Sequence, residues 1–250
     1  MKHRFFVPDA TTSDLVIQLP TDEGHHLARV LRLRPGAAIQ IFDGSGRAYE
    51  ARVDTIDHDK VNVRIEEALT AVQEPTVRLT LALALLKSRK LEQVVRDATT
   101  LGAIAFQPLV TARTEVIPTA RVDRPALDRW FKIAVASAKQ CGRAVVPKVH
   151  PLTTYDRFIE TDHNQLRILL VEPSAESETG GPFTLGSLKR RPTPESAVLT
   201  VGPEGGWTAA ELKHAEHAGF ELLTMGTRTL RADAAPIAAL TVLQFLWGDM

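Results

Sequence analysis

The sequence predicts an α/β protein in two parts: a β-rich N-terminal domain over residues 1–72 and a larger α/β domain over residues 76–250. Three observations carry this. Short apolar runs separated by tight-turn residues fill the first part, the mark of a small barrel. Strand-like and helix-like patterns alternate in the second. The strands of the second part are apolar on both faces, which calls for a parallel sheet covered on both sides.

In the first part the runs are Arg4–Val7, Leu15–Leu19, Ala38–Phe42, Ala48–Val53 and Val61–Ile65, with Arg34-Pro35-Gly36 and Asp43-Gly44-Ser45-Gly46 as turns. A helix is expected over Asp22–Leu31, capped by Thr21 or Asp22. Ala71–Pro75 reads as a linker. Val77–Leu86 then forms a long strand, followed by a helix capped by Ser88 and closed by Gly102. Ala103–Val110 is the next strand. A helix follows with Asp123 as cap, Pro125 in its first turn and Gly142 past its end. Val145–Val149, Leu166–Glu172, Ala197–Val201 and Phe220–Met225 are further strands, and a last helix runs from Asp233 to Trp247. That helix is apolar on most faces, so the core or a partner must cover it. Glu172–Pro194 is rich in Ser, Gly, Pro and Glu and reads as a loop.

The composition narrows the function classes. Hydrophobic residues make up 44% of the 250, enough for a sizeable core. The one cysteine, Cys141, fits a reducing compartment and a cytoplasmic location. The residues after Met1 lack the apolar run of a signal peptide, and no segment has the length of a membrane span. Net charge is zero, but residues 78–148 hold 13 Lys and Arg against 5 Asp and Glu, a surplus of 8. This fits an anionic partner and equally an arginine-rich solvated surface. The histidine pairs His25-His26 and His214/His217 lack metal-ligand spacing, so no metal is expected. Lys87, Arg89 and Lys90 open one helix, while Lys139, Arg143 and Lys148 surround the end of another; both sets could meet phosphates.

Three loops follow the C-terminal strands, where open α/β sheets bind ligands. They are Leu169-Leu170-Val171-Glu172-Pro173, Val201-Gly202-Pro203-Glu204-Gly205-Gly206-Trp207 and Met225-Gly226-Thr227-Arg228-Thr229-Leu230-Arg231. In the second, a strand enters a glycine turn and then a helix, with Thr208 and Glu211 spaced as a capping box. Neither a Walker lysine nor the dinucleotide Gly-x-Gly-x-x-Gly is present. The loop is either a main-chain slot for an uncharged planar group such as adenine, which a β-carbon at Gly205 would obstruct, or a tight turn that needs glycine for its own φ angles. Arg231 stands directly before a helix that Asp233 could cap.

The Gly202–Gly206 and Met225–Arg231 segments together resemble the RsmE family of 16S rRNA uridine-N3 methyltransferases, in the SPOUT superfamily. His26-Leu27-Ala28-Arg29-Val30-Leu31-Arg32 and Phe42-Asp43-Gly44 are similar to that family's PUA-like RNA-binding domain, and Gln140-Cys141-Gly142-Arg143 to its central motif. The resemblance implies a PUA-like β-barrel joined to a SPOUT methyltransferase domain with a trefoil knot. It also implies a homodimer, S-adenosylmethionine as methyl donor, and 16S rRNA within the 30S subunit as partner. On that basis Leu170, Glu172, Gly202, Pro203, Glu204, Gly205, Met225, Gly226 and Leu230 are expected at the donor. Arg231 is expected at the target base, and Arg4, Arg29, Arg32, Lys87 and Arg143 at RNA. This chain departs from the family pattern at Asp97, Thr100, Lys139, Ala232 and Asp233; Asp97 and Lys139 read as a compensated charge swap. A non-catalytic RNA binder of the same fold, or a SPOUT enzyme with another RNA target, are the competing readings.

Overall fold

The computed structural model describes residues 2–8, 10, 11, 16–58, 60–87, 89–115, 124–175 and 183–250. The chain forms two compact units, Met1–Glu74 with Val135–Val146, and Pro75–Ala134 with Pro147–Met250.

In the first unit, β1 (Arg4–Phe6), β2 (Val16–Gln18), β3 (Ala38–Phe42), β4 (Ala48–Asp57) and β5 (Lys60–Leu69) form a five-stranded sheet in the order β1-β3-β4-β5-β2. β1 runs parallel to β3, and the other pairs are antiparallel. β4 and β5 extend well beyond the apolar cores that announce them. Their alternating residues point Tyr49, Ala51, Val53, Val61 and Val63 into a core shared with Phe5, Leu27, Ile39 and Ile41. Burying each large side chain there contributes roughly 1.5–3 kcal/mol. Among the described residues the pairings run from β1 at one end to β2 at the other. The helix α1 (Thr21–His25) passes directly into a π-helical turn, His26–Val30. Its N-cap is Pro20 with no side-chain bond, so neither Thr21 nor Asp22 caps it.

In the second unit, β6 (Arg78–Ala84), the helix α2 (Lys90–Thr100) and β7 (Ala105–Val110) follow in order. Arg89 is the N-cap of α2; the expected cap Ser88, like Asp123 of the next helix, lies outside the described residues. Gly102 ends α2 as expected, at φ +88°, with the Ala103 N–H donating to Ala98 O at 3.0 Å. α3 (Arg124–Cys141) belongs to both units, its second half clustering with the first. Then come β8 (Lys148–Val149), β9 (Thr153–Thr154), α4 (Tyr155–Thr161), β10 (Leu166–Val171), α5 (Leu185–Leu188), β11 (Ser196–Val201), α6 (Ala209–His217), β12 (Glu221–Thr224) and α7 (Ala235–Trp247).

The strands of this unit make a parallel sheet in the order β12-β10-β11-β6-β7-β8, with β9 also on β7. The near-continuous burial of β6, β10 and β11 is what a sheet covered on both faces requires. α7 lies on α2 and β11, burying Ala239, Leu240, Leu243 and Gln244, while Phe245 stays 64% exposed. Among the described residues no helix is long and apolar enough to cross a membrane.

Candidate active site

Parallel register decides where the three loops meet. Leu170 is paired with Val201 and Val171 with Thr224, so the chain leaves β10, β11 and β12 at the same edge of the sheet. Sheet order places β11 between β6 and β10, and a crevice opens where the loops diverge. The result is a cleft of about 310 Å³. Leu170, Glu172, Gly202, Pro203, Glu204, Met225, Leu230 and Arg231 are among the residues that line it. Gly205 and Gly226, expected with them, are not among the lining residues.

The loop after β11 is held from within. Thr208 and Glu211 form the expected capping box: the Thr208 N–H donates to Glu211 Oε2 at 2.8 Å, and the Glu211 N–H to Thr208 Oγ1 at 3.2 Å. The other Glu211 oxygen accepts the Ala112 N–H at 2.9 Å, so one buried carboxylate ties the loop after β7 to the start of α6. The hydroxyl of Tyr155 donates to Glu211 O at 2.6 Å; burial, then the Glu211 charge, push its pKa up.

Trp207 was not singled out by sequence reasoning. Its Nε1–H donates to Leu170 O at 2.9 Å, joining the loops after β10 and β11, and its ring lies 5.2 Å from that of Tyr155. A β-carbon on Gly202 would lie 2.9 Å from the indole, which explains glycine there. Gly205 faces away from the cleft: a β-carbon would meet Arg113 Cβ at 3.1 Å, and Arg113 donates to Gly205 O at 2.9 Å. Gly206 lines the cleft at φ +68°, and a β-carbon on it would stand 3.5 Å from Glu172 Oε1.

Charges in the cleft are mostly paired. Glu204 accepts from Lys90 Nζ at 2.9 Å and from the Lys87 N–H at 3.3 Å. Burial opposes its ionisation, but these hydrogen bonds prevail and hold the carboxyl below its usual range. Arg231 donates to both oxygens of Asp233, at 3.1 and 3.3 Å. Asp233 is not the cap of the last helix: Ala234 stands at that position without a side-chain bond. For Asp233 too, burial raises the pKa, and the bonds from Arg231 outweigh it.

The residues expected at RNA divide into two groups. Arg29, Arg32 and Lys87 are exposed, Lys87 being paired with Glu115. Arg4 and Arg143 are built into the first unit. Arg4 donates to Ala138 O and Arg143 O at 3.4 and 3.2 Å and stacks 4.9 Å from the Phe42 ring centroid. Burial lowers its pKa. The side chain of Arg143 is 6% exposed and fastened to both oxygens of Glu74. These contacts hold both side chains within the first unit. Lys139 pairs with Glu23 at 2.7 Å, so its charge is balanced by Glu23 and the swap with Asp97 falls away. Among the described residues no group of His, Cys, Asp and Glu could hold a metal ion.

Comparison with known proteins agrees with this layout. Residues 73–244 match an RNA methyltransferase domain and residues 19–66 an RNA methyltransferase PUA domain. The ribosomal RNA small subunit methyltransferase E of Synechocystis sp. is 34% identical over 98% of this chain and 78% of its own length. That of Bacillus subtilis is 27% identical over 97% and 96%. The crystal structure of the Neisseria gonorrhoeae ribosomal RNA small subunit methyltransferase E bound to S-adenosyl methionine is 29% identical, covers 100% of both chains and superposes with a TM-score of 0.86. With a methyltransferase domain match spanning the entire cleft-bearing sheet and a relative this similar along nearly the whole chain, the protein belongs to the ribosomal RNA small subunit methyltransferase E family.

Proposed function

We propose that this protein transfers a methyl group from S-adenosylmethionine to N3 of a uridine in 16S rRNA of the small ribosomal subunit. The observation that carries the reading is the cleft at the ends of β10, β11 and β12, with Arg231 on its rim. Membership of the family supports the donor and the RNA class.

The residues present fit the donor. The cleft joins apolar side chains, Leu170, Val201, Met225 and Leu230, to a surface at Gly202–Glu204 and Gly206. That combination suits adenine, which stacks on apolar groups and bonds to peptide groups. The carboxylate of Glu172 has no hydrogen-bond or ionic partner among the described residues, and it is the acid to meet the donor's ammonium. Bound there, the donor supplies an electrophilic methyl group on a sulfonium. The protein's task is then positioning. The guanidinium of Arg231, oriented by Asp233, faces the uracil oxygens and stabilises the negative charge that develops as N3 gives its proton to solvent and takes the methyl group, S-adenosylhomocysteine departing.

Gly206 tests the cradle. Gly206→Val introduces a side chain beside Glu172 at a positive φ, costing on the order of 1 kcal/mol in backbone strain alone. Calorimetric titration with S-adenosylmethionine is expected to show at least a roughly tenfold loss of affinity; unchanged affinity contradicts the cradle.

The family reading carries four further proposals. The connections around β10–β12 close as a trefoil knot, the first-unit strands act as a PUA-like RNA-binding barrel through Arg29 and Arg32, the enzyme works in the cytoplasm, and the chain is a homodimer. The exposed side of α7, with Phe245, is the surface for the second copy. Sedimentation at micromolar concentration is expected to give a dimer, shifted toward monomer by Phe245→Asp; a wild-type monomer contradicts the assembly. The overall reading is tested by incubating the protein with labelled donor and 30S subunits from a strain lacking the endogenous enzyme. Label in 3-methyluridine supports it. Label in another nucleoside moves the target, and no transfer refutes it.

A further inference from the structure

We infer that Arg228 is the cleft's docking point for a backbone phosphate of the RNA beside the target nucleotide. The inference rests on the RNA methyltransferase reading above and deepens it. Three cations line the cleft, Lys90, Arg228 and Arg231. Two carry their own counter-ions: Lys90 is bound to Glu204 and Arg231 to Asp233. Arg228 has no ion-pair or hydrogen-bond partner among the described residues. An exposed guanidinium with no protein counter-ion at the wall of a ligand cleft is free to take an anion that arrives with the ligand.

Two anions could come, the carboxylate of the donor and a phosphate of the RNA, and its position favours the phosphate. Gly226 to Arg231 form six consecutive exposed residues, so this stretch is the outer lip of the cleft. A macromolecule reaches such a lip without entering the cleft. Arg231 is three residues away on the same lip, with its side chain 75% exposed. An arginine that meets the target base and one that meets the adjoining backbone would thus share one short segment. The planar fork of a guanidinium suits two phosphate oxygens better than an ammonium does.

The experiment compares wild type, Arg228→Ala and Arg228→Lys. It measures donor affinity by calorimetry, KM for 30S subunits lacking the modification, and the salt dependence of binding to protein-free 16S rRNA. For Arg228→Ala we expect the KM for subunits to rise roughly tenfold and the slope of log affinity on log salt to fall by about 0.7–0.9, one phosphate. Donor affinity is expected to stay at the wild-type value, and Arg228→Lys to restore the salt slope. Weakened donor binding with an unchanged slope assigns Arg228 to the donor's carboxylate and overturns the inference. Unchanged donor affinity, KM and slope overturn it as well. A wild-type protein that binds the donor but leaves the subunits unmethylated refutes the parent reading, and the phosphate role with it.

Discussion

Arg231→Ala is expected to lower kcat for RNA methylation on the order of 10²–10³-fold while S-adenosylmethionine affinity stays within about threefold. The separation follows from placement. Arg231 stands on the rim with its side chain 75% exposed, whereas the donor is assigned to the apolar and main-chain lining at Leu170, Gly202–Glu204 and Gly206. A group that stabilises charge only as N3 loses its proton contributes to the transition state and little to the ground state. Its orientation comes from Asp233, which accepts from both Nε and Nη2. Asp233→Ala frees the guanidinium without removing it and should cost a fraction of the Arg231 effect. Because Asp233 is held below the usual carboxylate range, it remains ionised at every pH above that range. The pair is lost only as pH falls through the lowered pKa, so Asp233 contributes no acid limb near neutrality. Steady-state kinetics with 30S subunits reads both variants, and equal kcat in Arg231→Ala removes the assignment.

Glu211→Ala is expected to be the most destabilising single change near the site, at roughly 2–4 kcal/mol, or a drop of about 5–15 °C in Tm. The residue is 7% exposed, and its carboxylate accepts the N–H groups of Ala112 and Thr208 together with the Thr208 hydroxyl. Truncation leaves two backbone donors without their acceptor and removes the carboxylate half of the capping box, while Thr208 still accepts the N–H of residue 211. Glu211→Gln retains one acceptor oxygen and should cost about half as much. Thermal unfolding checks the pair, and a Tm within about 2 °C of wild type for Glu211→Ala contradicts this role.

Much of the second unit was legible because its strands are short apolar runs and its helices end on recognisable residues. Val77–Leu86 and Leu166–Glu172 each contain the observed strand, and Ala197–Val201 misses only its first residue, Ser196. Gly102 and Gly142 mark helix ends through their positive φ. The three ligand loops were legible for the same reason, since a parallel sheet sends all its strand ends to one edge. What local pattern cannot show is the partner of a charge. Arg143 looked available for phosphate until Glu74, 69 residues earlier, occupied it, and Lys139 pairs with Glu23 across 116 residues. Asp233 fits a cap by spacing, yet the nearby arginine takes its oxygens. Gly205 and Gly206 are indistinguishable in sequence; the backbone turns one toward Arg113 and the other toward the cleft. The signal for Trp207 was present, a large aromatic directly after two glycines, but its bond to Leu170 O depends on β10 and β11 being neighbours.

The most direct test is a crystal structure of the protein with S-adenosylhomocysteine, the demethylated product of the donor. The account predicts adenine against the main chain of residues 202–206 and 225–230, with the sulfur opening toward Arg231. A ligand seated elsewhere on the molecule, or one whose sulfur faces away from Arg231, contradicts it.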